Sequence, residues 1–484
     1  MTGFTELSEG ANLCNLQFSL ETLVFVTVEW PFIRGDMGGC VGFRAYLLYV
    51  FMVFVRPIEQ FAPDLMAYRP ILALWVVTFL ASVWDAKQRN WGAANRLQLG
   101  LLACLSLAAF LSVWFSSGLD DAMAAFGVIS TPVMLFVLTC LNVDTIARFR
   151  TLTLVFLGSV TLLSLQGLLA YFYGVDANEL FISQLASENA VPPKDRSPIP
   201  AEDMSGTLIW RLRSVGFLND PNDFGQTIIV VAPWIFVLFL PAASLFSRLA
   251  LAGPWLALLA YVLTLTHSRG AMLGVAAALV FFFKDKVGRV MRVLLAAAAV
   301  GAFMLGLVGG GDRAMSGKER SASERIDAWN DGISMLKDHP LLGVGYGNFT
   351  EHHIRTAHNS FVLCFAELGL VGYFLWMSLI VLSFQALNRI IQWVNPADDH
   401  ARYAVLLRVS MVGFMVCAWF LSRTFVPTLF ILMGMAAGLL HAARQAHPVG
   451  LAPELHRPLI WRMPSAKAVV FTLVLVSMFI RFSR

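Results

Sequence analysis

An all-α protein that crosses a bilayer many times is the fold class this sequence predicts, and three observations predict it. Of its 484 residues, 58% are hydrophobic and 14% charged, with a mean hydropathy of +0.69. Soluble domains have an apolar share of about half and a charged share of about a quarter. The apolar residues also gather into runs of about 20, the length a helix needs to cross the hydrocarbon layer while satisfying its own backbone hydrogen bonds. Segments of about ten residues with strand-like alternation, the mark of a transmembrane barrel, do not occur. The expectation is a polytopic protein of about 12 to 13 transmembrane helices.

Spans are expected near residues 40–56, 68–84, 97–116, 122–141, 151–173, 224–243, 249–266, 270–283, 293–310, 359–385, 403–421, 424–441 and 468–482. Arg44 interrupts the first, close enough to its end for the side chain to snorkel. Residues 20–33 carry Glu21 and Glu29 and are short, which leaves an interfacial helix or an extra span. The opening residues, with Glu6 and Glu9 in place of a basic region, do not read as a cleavable signal. Segment 1–39 is then cytoplasmic or interfacial, 40–204 holds the N-terminal helices, and 446–484 is a cytoplasmic linker with the last helix.

The short loops set the orientation. Lys87, Arg89 and Arg96, then Arg148 and Arg150, Arg248, Lys284 to Arg292, Arg389 and Arg402, and Arg444 to Lys467 all fall on one side if the spans alternate. The positive-inside rule makes that side the cytoplasm. The long polar segments 174–223 and 311–358 then face the other side, with the tight turns at Ser268 and Ser422. Net charge of +4 is mild and suits anionic lipid on the inner face, so membrane lipids are expected partners and nucleic acid is not. Cys104, Cys140, Cys364 and Cys417 lie within apolar runs and no CxxC pair occurs, so neither zinc nor redox work is indicated.

Three signatures lie in gaps that this topology places on the exported side: RSVGFLNDPNDFG around Arg213, HSRG around Arg269 and RTAHNSF around His358. Arginines and a histidine at a bilayer surface suit chemistry on an anionic, lipid-linked substrate. A guanidinium can hold phosphate oxygens with two parallel hydrogen bonds, and a histidine can take a proton from a hydroxyl. Plainer readings stand beside these. Arg269 can be a snorkelling anchor, Asp220, Asn222 and Asp223 can simply cap a helix, and Asn359 can be a cap with His358 its exposed neighbour. His352, His353 and His358 invite a zinc site, but adjacent histidines rarely face one metal and no further ligand completes a tetrahedron, so no metal residues are expected. The GVGYG run at Gly343 to Gly347 reads as turns, and Asp120 and Asp121 as a solvated turn.

Together RSVGFLNDPNDFG, THSRGAMLG, SERIDAWNDGISMLKDHPLLGVGYGNF and AHNSFVLCFAELGLVGYFLW resemble, in order and spacing, the O-antigen ligase and O-antigen polymerase superfamily. These are bacterial integral-membrane glycosyltransferases that use undecaprenyl-diphosphate-linked glycans. The resemblance covers roughly residues 205–385 and makes 205–445 a catalytic membrane core. It implies a GT-C-like fold with a helical periplasmic loop, 311–358, over the active site, in a multi-pass protein of the bacterial inner membrane. It also implies catalysis with neither metal nor cofactor. Arg213 and Arg269 would bind the donor diphosphate and His358 would act on the acceptor hydroxyl, with Asn222, Asn359, His267 and Arg325 as supporting residues. The long loop carries no large folded insert, which leaves the acceptor open among a glycan, a lipid A core and a protein. A transporter or flippase of lipid-linked oligosaccharide is the competing class, since the same arginines could line a cavity for an anionic headgroup.

Overall fold

Long apolar runs punctuated by proline, glycine and capping side chains become helices whose ends follow those signals. The computed structural model describes residues 41–88, 96–185, 208–236, 244–283, 288 and 320–483. The segment 1–39, residues 20–33 within it, the expected span at 293–310 and parts of both long polar segments lie outside the described residues.

Helix α1 (Val41–Val55) forms with Arg44 exposed in its first turn, where the charge is tolerated. A short helix α2 (Pro57–Phe61) and a 3-10 turn (Pro63–Tyr68) lead into α3 (Pro70–Gln88), with Arg56 and Arg69 in left-handed backbone at the junctions. Helices α4 (Arg96–Ser117), α5 (Leu119–Asn142) and α6 (Ile146–Tyr173) follow, and the Thr145 hydroxyl caps the last by accepting from the Arg148 N–H. One departure from an all-helical reading comes next. After a turn of helix, α7 (Ala177–Leu180), strand β1 (Phe181–Leu185) pairs antiparallel with β2 (Leu208–Leu212), Phe181 opposite Leu212. The pair is confined to a long polar segment and leaves the all-α, polytopic class intact.

Helix α8 (Pro221–Val231) starts on a proline, which needs no N–H partner there, and on the Asp220 cap, whose carboxylate accepts from the Asn222 N–H at 2.7 Å. Helices α9 (Leu245–Leu265) and α10 (Arg269–Phe283) meet at a three-residue turn. Helix α11 (Arg320–Asp338) is polar overall and buries a single stripe that includes Ala328, Trp329 and Met335. A short α12 (Phe349–His352) precedes α13 (Ser360–Trp393), α14 (Asp399–Ala418), α15 (Pro427–Ala446), a turn of helix α16 (Pro453–His456) and α17 (Arg462–Ser483). Eight of the described helices are long and apolar enough to cross a membrane, and Val41–Val55, Ala252–Leu265 and Arg269–Phe283 are shorter apolar helices.

Burial separates an inner set of helices from an outer one. Of the apolar stretch of α15 78% is buried, against 17% in α3, so α15 stands inside and α3 turns Leu72, Val76, Leu80 and Trp84 outward, as a lipid-facing helix should. With lipid as apolar as any side chain, close approach rather than hydrophobicity holds helices together. Gly434 and Gly438, four apart on α15, meet α5: a Cβ at Gly434 would stand 2.7 Å from that of Thr139, and one at Gly438 would collide with the Val143 carbonyl.

Helix α13 is broken at Gly369, with φ 62° and ψ −167°. The carbonyls freed by the break, those of Ala366 and Glu367, accept from the N–H groups of Val344 and Gly345, each at 3.0 Å. The N–H groups of Leu370 and Val371 donate to Pro340 and Leu341 at 2.8 and 3.3 Å. Segment 340–345 therefore replaces a turn of helix with external hydrogen bonds, which lets non-helical backbone pack against a spanning helix. Positive φ at Gly343, Gly345 and Gly347 makes GVGYG a series of turns.

Candidate active site

The ends of the helices that carry the sequence signatures lie together. Ser112 and Ser116 at the end of α4 receive hydrogen bonds from the Tyr346 N–H and the Asn348 amide, at 3.2 Å each. Arg56, at the end of α1, packs so closely over Gly216 that a Cβ there would overlap its guanidinium. At the opposite end Arg389 donates to the Glu454 carbonyl and Arg444 to that of Leu455, tying α13 and α15 to the linker before α17.

At the signature-bearing end, two hydrogen-bonded knots are contiguous in chain. In the first, Arg211 is 6% exposed and donates from Nε to the Thr266 carbonyl and from Nη2 to Asn222 Oδ1, both at 3.0 Å. The Ser268 hydroxyl donates to the same Asn222 oxygen at 2.8 Å. Asn222 thus stitches the strand that precedes α8 to the turn that holds His267 and Arg269, and His267 takes a left-handed φ of 46° to make that turn. Arg269 opens α10, half-buried, and the next residue, Gly270, lies against Phe420 in the loop after α14.

The second knot starts one residue along. Asp223, 2% exposed, accepts from Arg423 Nε at 2.9 Å and lies 2.8 Å from its Nη2, while the Arg423 side chain is 44% exposed. The Arg423 N–H donates to the Ser360 hydroxyl, which itself donates to the Leu421 carbonyl at 2.6 Å. Ser360 follows Asn359, the buried cap of α13, whose Oδ1 accepts from the N–H groups of Phe361 and Val362.

His358 stands immediately before that cap, half-buried, with a left-handed φ of 49°. Burial and then the charge of Arg325 push its pKa below the ordinary value near 6.5, helped by Arg355 and opposed by Asp220 and Glu324. The imidazole is therefore neutral at pH 7, the form able to accept a proton. Arg325 comes from α11, which is fixed over the site by the Trp329 indole donating to the Ala357 carbonyl at 2.9 Å and by an Arg355–Glu324 ion pair. Tyr346 completes the surroundings. Burial and the charge of Glu367 push its phenol up to about 12, against the pull of Arg423, so it stays a proton donor.

Most of the residues singled out in sequence meet here, with one adjustment. Arg213 lies just past the end of β2, half-buried: its N–H donates to the Leu180 carbonyl and its Nε to that of Glu179, at 2.8 Å each. Arg211, two residues earlier, is the arginine inside the knot. Of the three alternatives NDPND offered, Asp220 is the cap, Asn222 a bridge and Asp223 one half of an ion pair. Arg423 was missed. Its signal was the one that marked Arg269, an arginine in a tight turn between two apolar runs. His352 and His353 go to separate partners, the Asn348 carbonyl and Arg355 with Asp331, and do not join His358 in a metal-ligating set among the described residues.

Residues 254–377 match a family model described as O-antigen ligase. The match runs from within α9 to the middle of α13 and takes in Arg269, Arg325, His358 and Asn359. No curated protein matches the chain.

Proposed function

We propose that this protein, a member of the O-antigen ligase and polymerase superfamily through residues 254–377, transfers a glycan from undecaprenyl diphosphate to an acceptor hydroxyl on the periplasmic face of the inner membrane. The observation that carries the reading is the placement of His358: two residues before Ser360, whose hydroxyl accepts from the Arg423 N–H, in the same loop whose Phe420 lies against Gly270 next to Arg269, with burial and Arg325 lowering the imidazole's pKa. Basic short loops at the opposite end support the orientation.

The chemistry asks for little more. The acceptor oxygen bonds to the anomeric carbon as the bond from that carbon to the diphosphate oxygen breaks, with inversion. The electron pair leaves on the diphosphate, and the hydroxyl proton passes to His358 and then to solvent. A diphosphate is already a good leaving group, so the demand is for fixed positive charge where negative charge collects, and Arg213 and Arg269 at the membrane surface supply it. Asp220 faces His358 and stabilises the imidazolium that forms. Among the described residues, two buried ionisable groups within the spans have fixed partners: Glu367 accepts from the Phe349 N–H, and Arg408 donates to Asn388 over the Phe281 ring. That favours transfer over transport. The acceptor class, glycan, lipid A core or protein, follows from which product disappears in a deletion strain.

The test uses His358→Ala and Arg269→Lys in purified protein. The alanine variant is expected to bind the lipid-linked donor normally and to lose transfer by about 100- to 10,000-fold. The lysine variant keeps the charge but not the forked geometry, and is expected to weaken donor binding. Near-normal transfer in His358→Ala would remove the histidine from the reaction.

A further inference from the structure

The far end of α13 carries a cluster that the reaction does not use. The connection to α14, NPADD, turns on itself: Asn395 Oδ1 accepts the Ala397 N–H, and Asp398 Oδ1 caps α14 by accepting the His400 N–H at 2.8 Å. That same oxygen lies 2.8 Å from His400 Nδ1. The other carboxylate oxygen faces Nε2 of His447, the residue that ends α15, at 3.3 Å. One ligand atom from each of Asp398, His400 and His447 lies within 4.8 Å of the other two.

Proton bookkeeping makes this contact unusual. His447 Nδ1 is 3.0 Å from the Ala443 carbonyl, which only accepts, so Nδ1 carries the hydrogen and Nε2 turns its lone pair toward a carboxylate oxygen. Either a proton on Nε2 or a metal ion between the two atoms satisfies this contact. A backbone carbonyl holding the far nitrogen of an imidazole is also how proteins orient a metal-bound histidine. Zinc at about 2.0 to 2.2 Å from tetrahedral ligands sets neighbouring ligand atoms about 3.4 Å apart; the His447–Asp398 edge is 3.3 Å, and the 2.8 Å contact of His400 Nδ1 with the same carboxylate opens by a few tenths of an ångström when the metal replaces that hydrogen bond.

We propose that Asp398, His400 and His447 form a binding site for a divalent transition metal ion, zinc by the nature of the donors, that braces the start of α14 against the end of α15. Two imidazoles and one carboxylate suit zinc, whereas magnesium prefers six oxygens and copper(I) prefers sulfur. The half-exposed position leaves the fourth corner to water. The site stands 34 residues of helix away from His358, so its role is structural. Reading along the chain does not find it, because His400 and His447 are on different helices and pair through a loop aspartate.

The test takes protein purified through a tag without histidines, stripped with a chelator and titrated with zinc in competition with a chromophoric chelator. Wild type is expected to bind one equivalent and to gain thermal stability from it. His400→Gln with His447→Gln keeps the Asp398 cap and is expected to lose both effects. Should the double variant fold poorly, His447→Gln alone is expected to bind zinc at least about 100-fold more weakly, a larger loss than removing an outer partner causes. No stoichiometric zinc in wild type, as a protonated His447 in a plain ion pair would give, overturns the proposal. So does unchanged binding in the variants.

Discussion

Breaking the Asp223–Arg423 pair from either side should cost different amounts, because the partners differ in exposure. Arg423 is 44% exposed and Asp223 2%. In Asp223→Asn the freed guanidinium is taken up by water and can still donate to the amide oxygen. The loss is about 1 kcal/mol, at the low end for hydrogen bonds to charged groups. In Arg423→Ala the carboxylate is left buried and alone. Staying ionised costs several kcal/mol. Taking up a proton costs about 1.4 kcal/mol for each pH unit above the ordinary Asp range, or about 4 kcal/mol at pH 7, and the cheaper route sets the limit. Burial already raises the paired Asp223 to about 6, so Arg423→Ala should be destabilised by about 1 to 2 kcal/mol at pH 7 and by less at pH 5, where the carboxyl is protonated with or without the arginine. The double variant with Asn at 223 should lose less than Arg423→Ala at pH 7 and show no dependence on pH from this site, so the second change rescues the first. Equilibrium unfolding in mixed detergent micelles at the two pH values measures all three. Equal costs for the two single variants, or an Arg423→Ala penalty that does not fall with pH, would refute the reasoning.

Three further outcomes are expected. Arg325→Ala removes a cation that lowers the His358 pKa, so that pKa rises and the acid limb of transfer moves to higher pH; a pH–rate profile with an unmoved limb would separate the two residues. Gly369→Ala puts a Cβ onto the Leu341 backbone at a φ and ψ that only glycine adopts easily, costing about 1 to 3 kcal/mol for the backbone alone, and thermal unfolding should show it. Ile354→Cys, 96% exposed near His358, should react with an impermeant thiol reagent in intact spheroplasts, and Leu451→Cys, 81% exposed at the other end, only after lysis; the reverse pattern would invert the proposed topology.

The helices were legible in sequence because lipid leaves the backbone few options, and apolar length with polar breaks is a one-dimensional signal. The start of α8 at Pro221 and of α13 at Ser360 fall where NDP and HNS announce them. The break in α13 was not legible. Residues 359–385 read as one uninterrupted span, since what permits the break at Gly369 is a partner 25 or more residues upstream: Pro340 and Leu341 accept the hydrogen bonds that the helix gives up. A glycine within an apolar run and a glycine-rich loop were both visible, but their pairing is a fact of three dimensions.

The same distinction runs through the site. Arg269, His358 and Asn359 can be picked out one at a time, because each is costly or distinctive at an apolar boundary. Arg211 and Asp223 cannot, since their roles come from partners at Thr266 and Arg423, 55 and 200 residues away. Arg211 and Arg213, two residues apart, differ only in what surrounds each: the Glu179 carbonyl for Arg213, and for Arg211 Asn222, which also accepts from Ser268. Buried polar groups must find partners, so where a chain gathers several at one bundle end they bind one another first. Arg211 and Asp223 are spent in this way on Thr266, Asn222 and Arg423, and hold in position the loops that carry Arg213 and Arg269.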